Sequence, residues 1–119
     1  MGLTHVTATV INPARPGRKA KLSFLVDSGA TYTVAPKEVL DRLGIKPHGS
    51  RTFILADGTH VTRKIGDAIF SIEGERAASP VVFGEKGDSR LFGTVSLEAL
   101  GFVLDPIRRE LRRLPMILG

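Results

Sequence analysis

Asp27 closes an apolar run, residues 22–26, and opens the turn Asp27-Ser28-Gly29-Ala30. A carboxylate placed there is partly desolvated, and taking a charge out of water is costly unless something compensates it. Two readings are open for such an acid. It can end a strand, because Asp and Ser side chains bond nearby N–H groups and glycine permits the turn. Or it can do proton chemistry, in which case the rest of the chain must position it.

Other candidate groups point to less. His5, His48 and His60 are scattered without metal-ligand spacing and read as solvated histidines. Glu73 and Glu75 flank Gly74 and read as a solvated turn. Asp67 and Asp88 adjoin glycines and also read as turn residues. With no cysteine in the chain, disulfides, thiolate metal sites and cysteine nucleophiles are excluded. No metal and no cofactor is called for.

The chain has 119 residues, enough for one domain with a modest core, taken as residues 1–119. At 42% hydrophobic and 24% charged it reads as an ordinary globular protein rather than a disordered one. The first ten residues carry no basic segment followed by a long apolar one, and no apolar run approaches the roughly 20 residues of a membrane span. A cytoplasmic location, away from membranes, is therefore expected. The net charge of +5 owes much to Arg108, Arg109, Arg112 and Arg113. With six Phe, one Tyr and no Trp, stacking groups are scarce, so nucleic-acid binding is not expected. The arginines read as a solvated face or the rim of an interface.

The elements that must hold Asp27 are mostly strands. Residues 4–11 alternate and are β-branched, 12–17 carry turn chemistry, and 21–26 form the predicted hairpin partner. A short β-branched piece, 31–34, precedes a short helix from Pro36 to the stop at Gly44. Residues 51–55 and 60–65 flank Asp57-Gly58, a strong hairpin signal. Further strands are predicted at 68–72, 78–83, 91–92 and 102–104, with helical turns at 95–100. In the tail, Ile107, Leu111 and Leu114 have helical spacing, whereas Leu114, Met116 and Leu118 alternate as in a strand. Many short strands with frequent turns indicate a mostly β domain: a closed, folded sheet or small barrel with one or two short helices.

Three features in this order carry a resemblance: Asp27-Ser28-Gly29-Ala30 after an apolar strand, a hairpin about thirty residues on, and Leu91-Phe92-Gly93 running into a short helix. Together they resemble the retropepsin-like aspartic proteases, in particular their cellular and microbial branch, over residues 6–105. The resemblance implies the single-domain acid-protease fold and half an active site per subunit. By it, Asp27 is the catalytic carboxylate, Ser28 bonds across the two-fold axis, and Gly29 lets two Asp27 carboxylates meet. Ala30 packs beneath the site. Residues 51–65 become the flap, so Leu55, Ala56, Asp57 and Gly58 are implied to touch substrate at its tip. Leu91, Phe92 and Gly93 buttress the site, and Leu91 or Phe92 contributes to a substrate pocket. The Ala-Asp-Gly-Thr tip departs from the glycine-rich viral flap, and residues 94–98 lack the Arg or Asp often found after that glycine.

The function so implied is a homodimeric aspartic endopeptidase acting on extended polypeptide. Its dimer has termini paired between subunits, which favours a strand in the tail. The alternative on the same fold is a dimeric peptide-binding module with little or no catalysis, since fold does not fix function. A basic nucleic-acid-binding domain ranks behind both.

Overall fold

The structure, a computed structural model, describes residues 4–115 together with 117 and 118. β1 (Thr4–Asn12) and β2 (Arg15–Val26) form an antiparallel hairpin. Its turn is tighter than the 12–17 expected from sequence. Asn12 Oδ1 accepts from the N–H groups of Ala14 and Arg15, and Asn12 Nδ2 donates to the Leu43 carbonyl. The strand resumes at Arg15 with an irregular register, Asn12 facing Arg15 while Ile11 faces Lys19. Pro16 and Gly17 fall in that bulge, where a missing ladder donor is tolerated.

β3 (Thr33–Pro36) leads into α1 (Lys37–Arg42), which starts behind Pro36 and is followed by Gly44 at φ 79°. β4 (Gly49–Ile54) and β5 (His60–Ile72) make the second hairpin, and β6 (Glu75–Gly84) turns back along the far part of β5. The chain continues through β7 (Leu91–Phe92), α2 (Thr94–Leu100), β8 (Phe102–Asp105) and β9 (Glu110–Arg113).

Sequence divides β5 into 60–65 and 68–72, but it is one strand. Gly66 does not break it. A Cβ at residue 66 would stand 3.0 Å from the Lys46 carbonyl and 3.1 Å from the Phe83 ring, so glycine here serves close packing. Asp67 accordingly lies within the strand opposite Pro80, not in a turn, with its carboxylate 3.4 Å from His48 Nε2. The tail takes the strand reading over 110–113, where β9 pairs with β8, while Ile107 is 89% exposed and packs on nothing helical. The alternation through Met116 lies outside the described residues. Arg112 and Arg113 are ion-paired with Asp105 and Glu75.

Seven strands form one sheet in the order β1-β2-β7-β3-β6-β5-β4. β1 also pairs with β5, Val10 opposite Phe70, so the sheet closes on itself as the expected small barrel. β8 and β9 form a separate two-stranded sheet. Among the described residues no helix is long and apolar enough to cross a membrane.

Alternation on β2 turns Leu22, Phe24 and Val26 inward. Phe24, Phe70 and Phe92, all fully buried, pack edge to face with ring centroids 5.4 to 6.3 Å apart. This cluster joins β2, β5 and β7 directly behind residue 27. Above it two backbone segments cross. A Cβ on Gly93 would fall 2.5 Å from the Thr31 carbonyl oxygen and 2.6 Å from the Tyr32 carbonyl carbon, which are backbone atoms and cannot swing aside. Gly93→Ala should therefore destabilise the domain by about 3 kcal/mol or more, as overpacking against backbone does. Urea denaturation measures this; an unchanged midpoint would mean that the two segments part freely.

Candidate active site

Asp27 stands at the end of β2, half-buried, and its position is set by main-chain bonds. β2 runs parallel to β7, Leu25 beside Leu91 and Val26 beside Phe92. The Asp27 N–H donates to the Phe92 carbonyl at 3.3 Å, and Ala30 N–H donates back to the Asp27 carbonyl at 3.1 Å. Within the turn, Gly29 N–H donates to Asp27 Oδ1 at 2.8 Å. A Cβ at residue 29 would lie 3.2 Å from that same oxygen, so glycine leaves the carboxylate room. The turn is then tied to α2, Thr94 N–H donating to the Ala30 carbonyl and Val95 N–H to the Thr31 carbonyl.

A chain of hydroxyls beneath the turn holds the crossing, and sequence reasoning missed it. Gly93 N–H donates to Thr33 Oγ1 at 3.0 Å. Thr33 and Ser96 hydroxyls are 2.6 Å apart, Ser96 and Ser79 hydroxyls 2.7 Å apart, and Ser79 donates to the Pro80 carbonyl. Because Ser79 gives its hydrogen to Pro80, Ser96 must donate to Ser79 and Thr33 to Ser96. Every hydroxyl donates once and accepts once. All three residues are buried, and among the described residues no buried side-chain polar atom lacks a partner. The signal was in the pattern: Ser79 shares the inward phase of Val81 and Phe83, and Ser96 shares the apolar face of Leu97 and Leu100.

A groove of about 910 Å³ opens over the turn. Asp27, Gly29, Ala30 and Leu91 line its floor, and Leu55 and Ala56 reach it from the β4–β5 hairpin. Ser28 is exposed beside it. Asp57 and Gly58 lie at the hairpin tip outside it, in a turn where Thr59 N–H donates to Asp57 Oδ1 at 2.9 Å. Thr59 holds the Asp57 carboxyl below the usual range, first through its side-chain hydroxyl and then through this N–H. Phe92 and Gly93 are buried under the floor, so of the pair 91–92 only Leu91 meets the groove. The structure thus gathers Asp27, Gly29, Ala30, Leu55, Ala56 and Leu91 around one space.

Two further groups frame it. Tyr32 meets the Phe53 ring edge to face at 6.3 Å, and Arg51 both donates to the Tyr32 hydroxyl and lies over its ring. Arg63 Nε and Nη2 grip Asp88 at 2.7 and 3.0 Å. Asp88 Oδ2 also accepts from Glu85 N–H at 2.8 Å, closing the turn before β7. The Arg63 hydrogen bonds are the main cause that holds the Asp88 carboxyl below its ordinary value. Of the two acids lining the groove, Asp88 is thus engaged and Asp27 faces it with no cation partner among the described residues.

The closed β domain with an acid-bearing turn under a hairpin is of the acid-protease type. A family model described as aspartyl protease matches residues 6–92, and the chain belongs to that family, in its retropepsin-like form. The solution structure of simian foamy virus (mac) protease is similar in fold, with a TM-score of 0.55 and 19% identity over 80% of this chain and 92% of that one. The crystal structure of a retropepsin-like aspartic protease from Rickettsia conorii is similar at a TM-score of 0.51 and 26% identity, covering 87% of this chain and 85% of that one. No curated protein matches the chain.

Two outcomes follow from the site's supports. Ser96→Ala leaves the buried Thr33 hydroxyl without an acceptor for its hydrogen and takes from Ser79 the donor it accepts from. It should lower stability by about 1–3 kcal/mol, read by denaturant unfolding. The Arg63–Asp88 pair has a pH signature. Asp88 titrates lower folded than unfolded, so its stabilisation is complete above the ordinary carboxylate range and fades as pH falls through the lowered value. Glu85, itself paired with Lys37, faces the same pair. Acid unfolding of wild type and Asp88→Asn should differ fully above the ordinary Asp range near about pH 4, where wild type is the more stable, and converge as pH falls through the lowered Asp88 value.

Proposed function

We propose that this protein is a homodimeric aspartic endopeptidase in which each subunit supplies one Asp27. The observation that carries the reading is an acid with no cation partner among the described residues, fixed by main-chain bonds at the floor of a groove, in a chain of the aspartyl protease family. One chain offers one such acid, whereas water activation in this class takes two. A domain formed by residues 1–119 would therefore provide half a site, completed by a second copy through an isologous two-fold interface.

In the dimer the two Asp27 carboxylates share one proton, because like charges in contact do not both ionise. The ionised member takes a proton from water held between them, and that water attacks the scissile carbonyl. The protonated member donates to the carbonyl oxygen. The Gly29 N–H bond to Asp27 Oδ1 fixes the rotation of each carboxyl for this exchange. Ser28, exposed at the turn, bonds to the opposite subunit. Ala30 and Leu91 support an extended polypeptide from below, and the β4–β5 hairpin covers it as a flap, with Leu55, Ala56, Asp57 and Gly58 at its end. Exposure of Ile54 and Leu55, at 69% and 44%, leaves apolar surface for that contact.

A mixed peptide library read by mass spectrometry from about pH 3 to 7 tests the reading, with wild type and Asp27→Asn at equal dimer concentration. Wild type should cleave, and Asp27→Asn should lose at least about a thousandfold of the rate while still dimerising. Cleavage per subunit should also fall on dilution as dimers dissociate. Equal cleavage by both proteins would remove Asp27 from the mechanism. No cleavage by either, with dimers present, would replace the endopeptidase by a peptide-binding module.

A further inference from the structure

The β4–β5 hairpin overhangs the barrel. The β6 ladder on β5 ends where Ile65 faces Val82, so residues 60–64 keep only β4 as a neighbour. What remains to hold the overhang is side-chain contact at its base. There Arg51 and Arg63 sit directly opposite each other in the ladder. Residues so paired share one face of the sheet, and like charges in that position repel. Each arginine is drawn off to a different anchor: Arg51 to the Tyr32 hydroxyl and ring, Arg63 to Asp88. The Asp88 anchor is the stronger of the two, a bidentate charge-assisted contact whose side chains are only 18% and 24% exposed. Its other end is rigid, because Asp88 also closes the 85–88 turn through bonds with Glu85 in both directions. That turn leads into Leu91 on the groove floor.

We propose that the Arg63–Asp88 pair is the latch that fixes the β4–β5 hairpin over the groove and so sets its affinity for polypeptide. Arg63 and Asp88 are positioning residues. With Asp88 neutral, two guanidinium groups face each other at the hairpin base with one anchor between them, and the hairpin lifts. The kinetic part of this inference rests on the protease reading; the mechanical part does not.

Asp88→Asn is the informative variant, since an Asn side-chain oxygen still accepts from Glu85 N–H and keeps the turn while removing the charge. Arg63→Gln is its counterpart from the other strand. Both should raise KM about tenfold, the loss of one charge-assisted contact, and change kcat less than KM. Arg63→Lys, which keeps charge but not the two-pronged grip, should fall between. Hydrogen exchange followed by mass spectrometry should show amides of residues 49–64 exchanging about tenfold faster in both variants. Asp67→Asn, a charge removed from the same strand away from the groove, should leave that exchange unchanged. Unaltered exchange in Asp88→Asn and Arg63→Gln would overturn the latch, as would faster exchange spread evenly over the barrel. Faster exchange with an unaltered KM would remove its role in substrate affinity. If wild type cleaves nothing, the protease reading fails and the exchange data still decide the latch.

Discussion

Two stretches of backbone cross behind the acid-bearing turn with no space for a side chain between them. Gly93 passes so near the Thr31 and Tyr32 carbonyl groups that even one methyl would collide. Everything around Asp27 takes its place from that approach. It brings Phe92 under β2, lets α2 donate to the turn through Thr94 and Val95, and presses the Thr33 hydroxyl against the Gly93 N–H. The aromatic trio of Phe24, Phe70 and Phe92 fills the volume behind it. A side chain held in this way needs little ordering when chemistry begins, which is what general acid–base work requires of a carboxylate.

The molecule divides its labour between that crossing and the overhanging hairpin. The crossing is dense, buried and joined by main-chain bonds. The hairpin is exposed, is laddered on one side near its tip, and touches the barrel through a few long side chains. Cores resist deformation and peripheral ladders open at small cost, so rigidity and mobility are built from different materials. A fixed acid beneath an adjustable cover suits a polypeptide that must enter extended and leave in pieces.

How much of this could be read from the chain depends on the range of each interaction. The strand-turn of Asp27, the helices closed by Gly44 and Gly101, and the Asp57-Gly58 hairpin are local and were legible in local chemistry. Gly66 misled, because glycine signals both breaks and close packing and only the distant Lys46 and Phe83 distinguish them. Asp88 read as a turn residue and is one, but its grip on Arg63 spans 25 positions and leaves no local trace. Thr33, Ser79 and Ser96 were hidden for the same reason: hydroxyls on inward-facing positions look like neutral filler until three elements bring them together.

That hydroxyl chain has a further property. None of its members titrates in the range where carboxylates and histidines do. The foundation of Asp27 is thus made of neutral hydroxyls, amides and rings, and acidification leaves its bonding intact. Charge is confined to the rim, where the Arg63–Asp88 grip weakens as its acid takes up a proton. A carboxylate site that works by holding a proton would be poorly served by a scaffold that competes for protons. Among the described residues, the bonds that hold the acid-bearing turn and the crossing behind it come from amides, carbonyls and hydroxyls, which neither gain nor lose a proton in that range.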